Sequence, residues 1–383
     1  MGQRTLEVAS SAIKRTHRLR VGVLEGTTFL NQYTVLDTLG RGSFGKVKRC
    51  LNTADDELYA VKIVSRRQLK ASHRGGSGMG GASSSDALST LRREIEVMTG
   101  LSHPNLVRLV EVIDDVAGGR LLLVMEYAAA GQLVARGTLS PERRMPEVIA
   151  QFYFRQMAAG MAHLHAHHVV HGDMKPDNVL LSGDATVKIA DFGQARFFDV
   201  RDTFRRTRGT PAFLAPEICA GEDYRGRQAD MWALGVSLYQ FVYGQLPFEA
   251  DSPAQLYDLI ATGDVPYPEA VPVSIELQDF FRRILCPVPD ARLTAQDMMQ
   301  HVWVVGDQWI EALSASLRQG GGEELAEAAD PDQVAAVVFP PGREPEAEED
   351  EGREPGAAGP PSPSPVLGRD LDAAVAFCAA ENG

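Results

Sequence analysis

Between Tyr33 and Val64 the chain alternates short apolar runs with turn residues: YTVLDTLG, GKVKRCL and LYAVKIV. Alternation of this kind, bounded by Gly and Asp, predicts three antiparallel strands. Leu91, Ile95, Met98 and Leu101 recur at helical spacing and predict an amphipathic helix with one buried face. LVRLVEVID and RLLLVMEYA return to strand character, and from Pro146 to Met299 helical patterns dominate. A small β-rich part followed by a larger helical part predicts an α+β fold of two lobes. Residues 71–85, ASHRGGSGMGGASSS, are small and polar and are expected to be a flexible insertion. Residues 1–32 read as an N-terminal leader. After Trp303 the GGG at 320–322, the acidic run Glu346–Glu351 and GAAGPPSPSP give an acidic, Pro/Gly-rich tail, 304–383, expected to be largely disordered.

Charge sharpens this division. The net charge of −13 resides almost wholly in the tail, where 16 acids face 4 basic residues from Glu311 onward. The rest is balanced, without the basic stripe of a nucleic-acid binder, so nucleic acid is not an expected partner. No uncharged apolar stretch reaches 18 residues, so no membrane span is expected. Cys50, Cys219, Cys286 and Cys378 are far apart and form no C-x-x-C pair, which argues against a disulfide framework and fits a reducing compartment. Residues 1–20 lack the apolar core of a secretory signal. A cytoplasmic location is expected, with the nucleus as the alternative.

Three clusters carry chemistry. Gly40, Gly42 and Gly45 fall between two strand-like runs, as in a hairpin whose backbone amides could approach phosphate oxygens. On its own that stretch equally reads as an ordinary glycine-rich turn. Lys62 lies within an apolar strand; it is either an edge-strand lysine facing water or an ammonium held by a carboxylate, with Glu94 on the predicted helix as the candidate partner. The third cluster decides between these readings: HGDMKPDN at 171–178, followed by DFG at 191–193. Asp173 suits orienting a hydroxyl and accepting its proton. Lys175 suits a transferred phosphoryl group, and Asn178 with Asp191 supplies hard oxygen ligands for magnesium.

Together these motifs resemble eukaryotic protein kinases, from Tyr33 to Trp303, with an N-lobe at 33–127 and a C-lobe at 128–303. The resemblance implies phosphoryl transfer from ATP with Mg2+. Asp173, Lys175, Asn178, Lys62 and Glu94 would be the catalytic set. Leu39, Gly40, Arg41, Gly42, Ser43, Phe44, Gly45, Lys46 and Val47 would cover the nucleotide. Ala60, Met125, Glu126, Ala128 and Leu180 would hold the adenine, and Asn178 and Asp191 the metal. Ala215-Pro216-Glu217 resembles the A-P-E motif, with Arg292 as partner of Glu217. Asp230 is expected to anchor a stack of Met98, Leu109, Phe192 and His171. DMKPDN and GTPAF resemble the serine/threonine-specific loops, with Thr210 reaching Asp173 and Lys175.

Within kinases, the residues LNQY at 30–33, the stretch VRLVEVIDD and GTPAFLAPE are similar to the calcium/calmodulin-dependent protein kinase kinase group, upstream activators of AMP-activated-type kinases. This implies protein substrates that are themselves kinases. The alternative is a pseudokinase scaffold that binds partners without phosphotransfer; the presence of every reacting group counts against it. Two departures stand out. Gly172 replaces the arginine that binds an activation-loop phosphate in many kinases. The segment 307–319 carries only one basic residue, Arg318, so calmodulin is not an expected partner.

Overall fold

The computed structural model describes residues 13–306, apart from 43–44, 67–83, 136, 200–201 and 205–208, and does not describe the side chains of residue 42 and residues 84–87. The 71–85 insertion thus lies almost wholly outside the described residues, and the tail beyond Gly306 lies entirely outside them.

The N-lobe is built on β1 (Lys14–Thr16), β2 (Val21–Leu24), β3 (Thr27–Leu30), β4 (Tyr33–Gly42), β5 (Gly45–Asn52), β6 (Leu58–Ser65), β7 (Leu109–Asp115) and β8 (Arg120–Glu126). They form one sheet in the order β1-β7-β8-β6-β5-β4-β3-β2. Helix α1 (Ser84–Gly100) packs on it through Leu91, Val97 and Met98. All three are buried; of the face that the helical spacing predicts, Leu91 and Met98 are buried and Ile95 and Leu101 half-buried, while Val97 adds to it.

The leader expectation requires correction, because Lys14–Leu30 contributes three strands to this sheet. β1 runs parallel to the edge strand β7, with Lys14, Arg15 and Thr16 opposite Glu111, Val112 and Ile113. An open edge exposes unpaired backbone groups, and β1 covers this one. A buried carboxylate fixes the contact. Glu111 is 1% exposed. It accepts hydrogen bonds from Thr16 Oγ1, Gln32 Nε2 (3.0 Å) and Tyr33 OH (2.7 Å), and pairs with Lys14 at 3.4 Å. β2 and β3 close through a two-residue turn, Glu25-Gly26, both at positive φ, the geometry that matches strand twist.

The C-lobe begins after β8. β9 (Gly131–Gln132) precedes helix α2 (Glu147–Ala166). Short strands follow: β10 (Val169–Val170), β11 (Val179–Leu181), β12 (Val187–Ile189), β13 (Arg196–Phe197), β14 (Thr203–Phe204) and, after α3 (Pro216–Cys219), β15 (Tyr224–Arg225). Then come α4 (Gly226–Tyr243), α5 (Pro253–Thr262), α6 (Ile275–Ile284), α7 (Ala295–Met298) and α8 (Val302–Val305). Helix α4 is apolar around almost its whole circumference, with Trp232, Leu234, Val236, Leu238 and Phe241 fully buried. A helix of that composition belongs at the centre of a lobe. Its few polar residues therefore need partners, and those partners build the site. No described helix is long and apolar enough to cross a membrane.

Candidate active site

A cleft of about 630 Å³ lies between the lobes. Its N-lobe wall is Leu39, Gly40, Arg41, Val47, Ala60 and Lys62 on β4–β6, with Glu94 and Met98 from α1. Met125, Glu126, Tyr127 and Ala128 form its back, where β8 passes into the C-lobe. Asp173, Lys175, Leu180 and Asp191 line its floor. Of the sequence-selected residues, Leu39, Gly40, Arg41, Val47, Ala60, Lys62, Glu94, Met125, Glu126, Ala128, Asp173, Lys175, Leu180 and Asp191 line this one cavity, which is of the size that holds a small organic ligand, whereas Asn178 is not among its lining residues. Ser43 and Phe44 lie outside the described residues. Gly42, Gly45 and Lys46 lie on the β4–β5 hairpin. A Cβ at Gly45 would fall 1.9 Å from the carbonyl oxygen of Ile63, so only glycine allows that approach of β5 to β6.

The two readings of Lys62 are now separable. Its Nζ is 2.5 Å from Glu94 Oε1 and 3.8 Å from Asp191 Oδ1, and it faces the cleft rather than bulk water. Glu94 is 2% exposed, and its Oε2 is buried without a partner among the described residues. A buried carboxylate of this kind requires its cation, so helix α1 and strand β6 are locked together through the pair.

The catalytic loop is held by α4 from below. Asp230 Oδ2 accepts from the His171 amide (2.8 Å) and Oδ1 from the Gly172 amide (2.9 Å), with His165 Nε2 at 3.0 Å from Oδ2. His171 in turn places Nε2 3.1 Å from the Ala190 carbonyl, and its ring meets Phe192 at 5.5 Å, edge to face. Met98, Leu109 and Phe192 are buried in the main hydrophobic core. Gly172 has φ +76°, and a Cβ there would lie 2.9 Å from the Gln194 carbonyl oxygen. This left-handed conformation is one glycine adopts without cost.

Above this base sits Asp173. Its Oδ2 lies 2.7 Å from Lys175 Nζ, and its Oδ1 accepts from both the amide and the hydroxyl of Thr210, each at 2.9 Å. Lys175 Nζ also donates to Thr210 Oγ1 at 2.7 Å. Asn178 donates Nδ2 to the Asp173 carbonyl at 2.7 Å, which leaves its side-chain amide oxygen, Oδ1, without a hydrogen bond among the described residues. Asp191 is left-handed at φ +62°, and its half-exposed carboxylate opens to the cleft. Asp191 in the cleft, and Asn178 hydrogen-bonded to Asp173 of the same cleft, are hard oxygen donors of the kind that fits a magnesium ion keeping waters and phosphate oxygens as its other ligands.

Glu217 and Arg292 are both buried and form a two-pronged pair, with both contacts at 2.9 Å. Arg292 also donates to the carbonyls of Gln228 (2.7 Å) and Cys286 (2.8 Å), so the charge is fully satisfied.

Sequence reasoning missed several residues that the fold brings to this region. Val107 and Ala190 line the cleft, but nothing in their local pattern distinguishes them from core. Glu126 lines it too, yet its carboxylate turns away to accept from the Arg108 amide (2.7 Å) and to pair with Lys188 (3.1 Å). Its backbone amide is committed as well, donating to the Arg108 carbonyl at 3.0 Å.

Comparison with known proteins agrees with this geometry. The protein kinase domain family matches residues 33–304. The chain is 38% identical to the serine/threonine-protein kinase GRIK1 of Arabidopsis thaliana over 77% of its length and 72% of the relative's. It is 36% identical to GRIK2 of the same plant, over 83% and 79%. It is 37% identical to the calcium/calmodulin-dependent protein kinase kinase of Caenorhabditis elegans, over 73% and 53%. With that match spanning both lobes and the cleft between them, the chain belongs to the protein kinase domain family and is a serine/threonine protein kinase.

Proposed function

We propose that this kinase transfers the γ-phosphoryl of Mg-ATP to activation-loop threonines of other kinases. The observation that carries the upstream reading is its 37% identity to a relative named as a kinase of kinases. The Thr210–Asp173–Lys175 cluster supports a hydroxyl acceptor.

In this reading the chain supplies positioning and charge rather than covalent chemistry. Lys62, oriented by Glu94, steadies phosphate oxygens. Asp173 accepts a hydrogen bond from the incoming hydroxyl and takes its proton as the new P–O bond forms and the bond from the γ-phosphorus to the bridging oxygen breaks, leaving ADP. Lys175 offers a compact positive charge to the phosphoryl group in flight. Thr210 ties Asp173 and Lys175 to the segment that receives the protein substrate. Asn178 and Asp191 would hold magnesium, which when bound offsets phosphate charge.

The pseudokinase alternative lacks a comparable observation, and the presence of Lys62, Glu94, Asp173, Lys175 and Asp191 along one cleft counts against it. Calmodulin dependence is not part of the proposal: the segment 307–319 has one basic residue and lies outside the described residues. The test is purified protein with Mg-ATP and a panel of catalytically dead kinases, with and without calcium–calmodulin, read by phosphosite mass spectrometry. Phosphorylation of activation-loop threonines in both conditions is expected. Phosphorylation confined to other sites would overturn the upstream reading, and no transfer to any protein would favour the scaffold.

A further inference from the structure

Asp202 lies between the DFG residues and Glu217, in the segment that carries Thr210 to the catalytic loop. It is 1% exposed, although it sits on an activation segment. Its Oδ1 accepts from the backbone amide of Gly226 at 3.1 Å. Its Oδ2 accepts from the Arg227 amide at 3.2 Å and from Arg227 Nε at 2.9 Å. Gly226 and Arg227 open helix α4, so one carboxylate satisfies two of the amides that the helix leaves unbonded and sits at its positive end. The Asp202 backbone is left-handed, at φ +47°. A non-glycine residue keeps that conformation only where its surroundings impose it.

The neighbouring residues converge on the same helix start. β14, immediately after Asp202, pairs with β15, immediately before α4. The Phe204 and Tyr224 rings lie 5.8 Å apart, and the Arg196 guanidinium lies 5.5 Å from the Phe204 ring. Arg227 lies 4.9 Å over the Phe198 ring, so it grips the segment on both sides of residues 200–201. One turn further along α4, Asp230 holds the amides of His171 and Gly172. The first turn of one rigid helix therefore fixes the activation segment and the catalytic loop relative to each other. Gly172 has no side chain with which the catalytic loop could grip the segment directly.

We propose that Asp202 is a built-in anion that holds the activation segment in its substrate-accepting form, so that no phosphate is required to do so. It is a positioning residue: it touches neither nucleotide nor acceptor, and acts through α4 and Thr210. This inference rests on the kinase assignment and is independent of which protein is the physiological substrate.

The test uses phosphatase-treated full-length protein, Mg-ATP and whichever member of a Ser/Thr peptide array the wild-type enzyme phosphorylates fastest. Asp202→Ala is expected to lower kcat/KM for the peptide at least ten-fold while KM for ATP stays within two-fold. Asp202→Asn keeps the size and one acceptor oxygen, and Arg227→Ala leaves both backbone donors in place; each is expected to fall between wild type and Asp202→Ala. Hydrogen exchange in Asp202→Asn should accelerate over 209–214 and leave α1 unchanged. Peptide kinetics within two-fold of wild type in Asp202→Ala would overturn the proposal. So would a loss shared equally by ATP and peptide parameters with exchange raised throughout the C-lobe, because that is the signature of a merely structural prop. If Asp202→Ala does not fold, the Asp202→Asn and Arg227→Ala kinetics decide by the same criteria.

Discussion

Asp173 is gripped by three donors from Lys175 and Thr210, so its carboxylate has one geometry in which to meet a hydroxyl. Asp173→Asn keeps the shape and removes the base. Since positioned general bases contribute typically 10²–10⁴-fold, kcat should fall about 100-fold or more with KM for ATP little changed. Single-turnover phosphotransfer measures this, and near-normal rates would remove Asp173 from its role. Gly172 gives a stability test at the same scale. An alanine there must take a left-handed conformation and push its Cβ toward the Gln194 carbonyl. Gly172→Ala is expected to cost about 1–2 kcal/mol, seen as a lower denaturation midpoint with an unchanged m-value. Glu217→Ala should cost more, about 3–5 kcal/mol, because Arg292 would be left buried without its counter-ion. Asp173, Lys175 and Asn178 were legible in the sequence because a short loop must present them in a fixed order. Asp202 was not, because its importance lies in contacts with residues 24 and 25 positions away.

At the scale of elements, the sheet is longer than the family match, which begins at residue 33. β1 is held to β7 by backbone pairing and by Glu111, and its loss would leave that buried carboxylate short of Thr16 and Lys14. Truncation before Val21 should therefore lower the thermal midpoint of unfolding; an unchanged midpoint would show β1 to be dispensable. A hydrogen bond to a charged group contributes about 1.5–3 kcal/mol, which sets the scale for Thr16→Ala as the milder variant. The junction between α2 and the loop before β7 holds three stacked imidazoles. His163 lies 4.7 Å from His103 and 4.1 Å from His167, ring to ring. Burial, then the neighbouring His167 and His103, push the His163 pKa down to about 4. An unfolded chain protonates this residue from about pH 6.5 downward, whereas the folded chain resists until about pH 4. Stability should thus be lost progressively as pH falls from 6.5 to 4. His163→Gln should flatten that part of the profile, and thermal melts across the range measure it. A His163→Gln profile as steep as the wild type would assign the loss to other groups.

The molecule as a whole is organised around α4, which joins the main hydrophobic core and carries both Asp230 and the amides that bind Asp202. Phosphatase treatment and Thr203→Ala are therefore expected to leave specific activity within two-fold of the untreated enzyme. A ten-fold loss, about 1.4 kcal/mol of transition-state stabilisation, would mean that a phosphate organises the segment after all. Thr207, the other threonine the sequence offers there, lies outside the described residues, as does the acidic tail.

The α+β class, the two lobes and the order of the motifs followed from the sequence alone, since each depends on local periodicity or on residues a few positions apart. The pairing of Lys62 with Glu94 and of Glu217 with Arg292 could be named from the family resemblance. Their burial and distances came only with the fold. What the sequence could not decide was the fate of residues 14–30: a strand that pairs with an edge 97 residues away has no local mark of its partner, as Lys14 and Glu111 show. Nor could it decide which carboxylates point into the cleft and which serve as anchors. Glu126 was expected to hold the adenine, yet it turns its side chain to Lys188; Asp202, which the sequence did not single out, is buried on a helix end. The physical reason is common to both. A charged side chain is placed by the donors available where it comes to rest, and those donors belong to elements that only tertiary packing brings near.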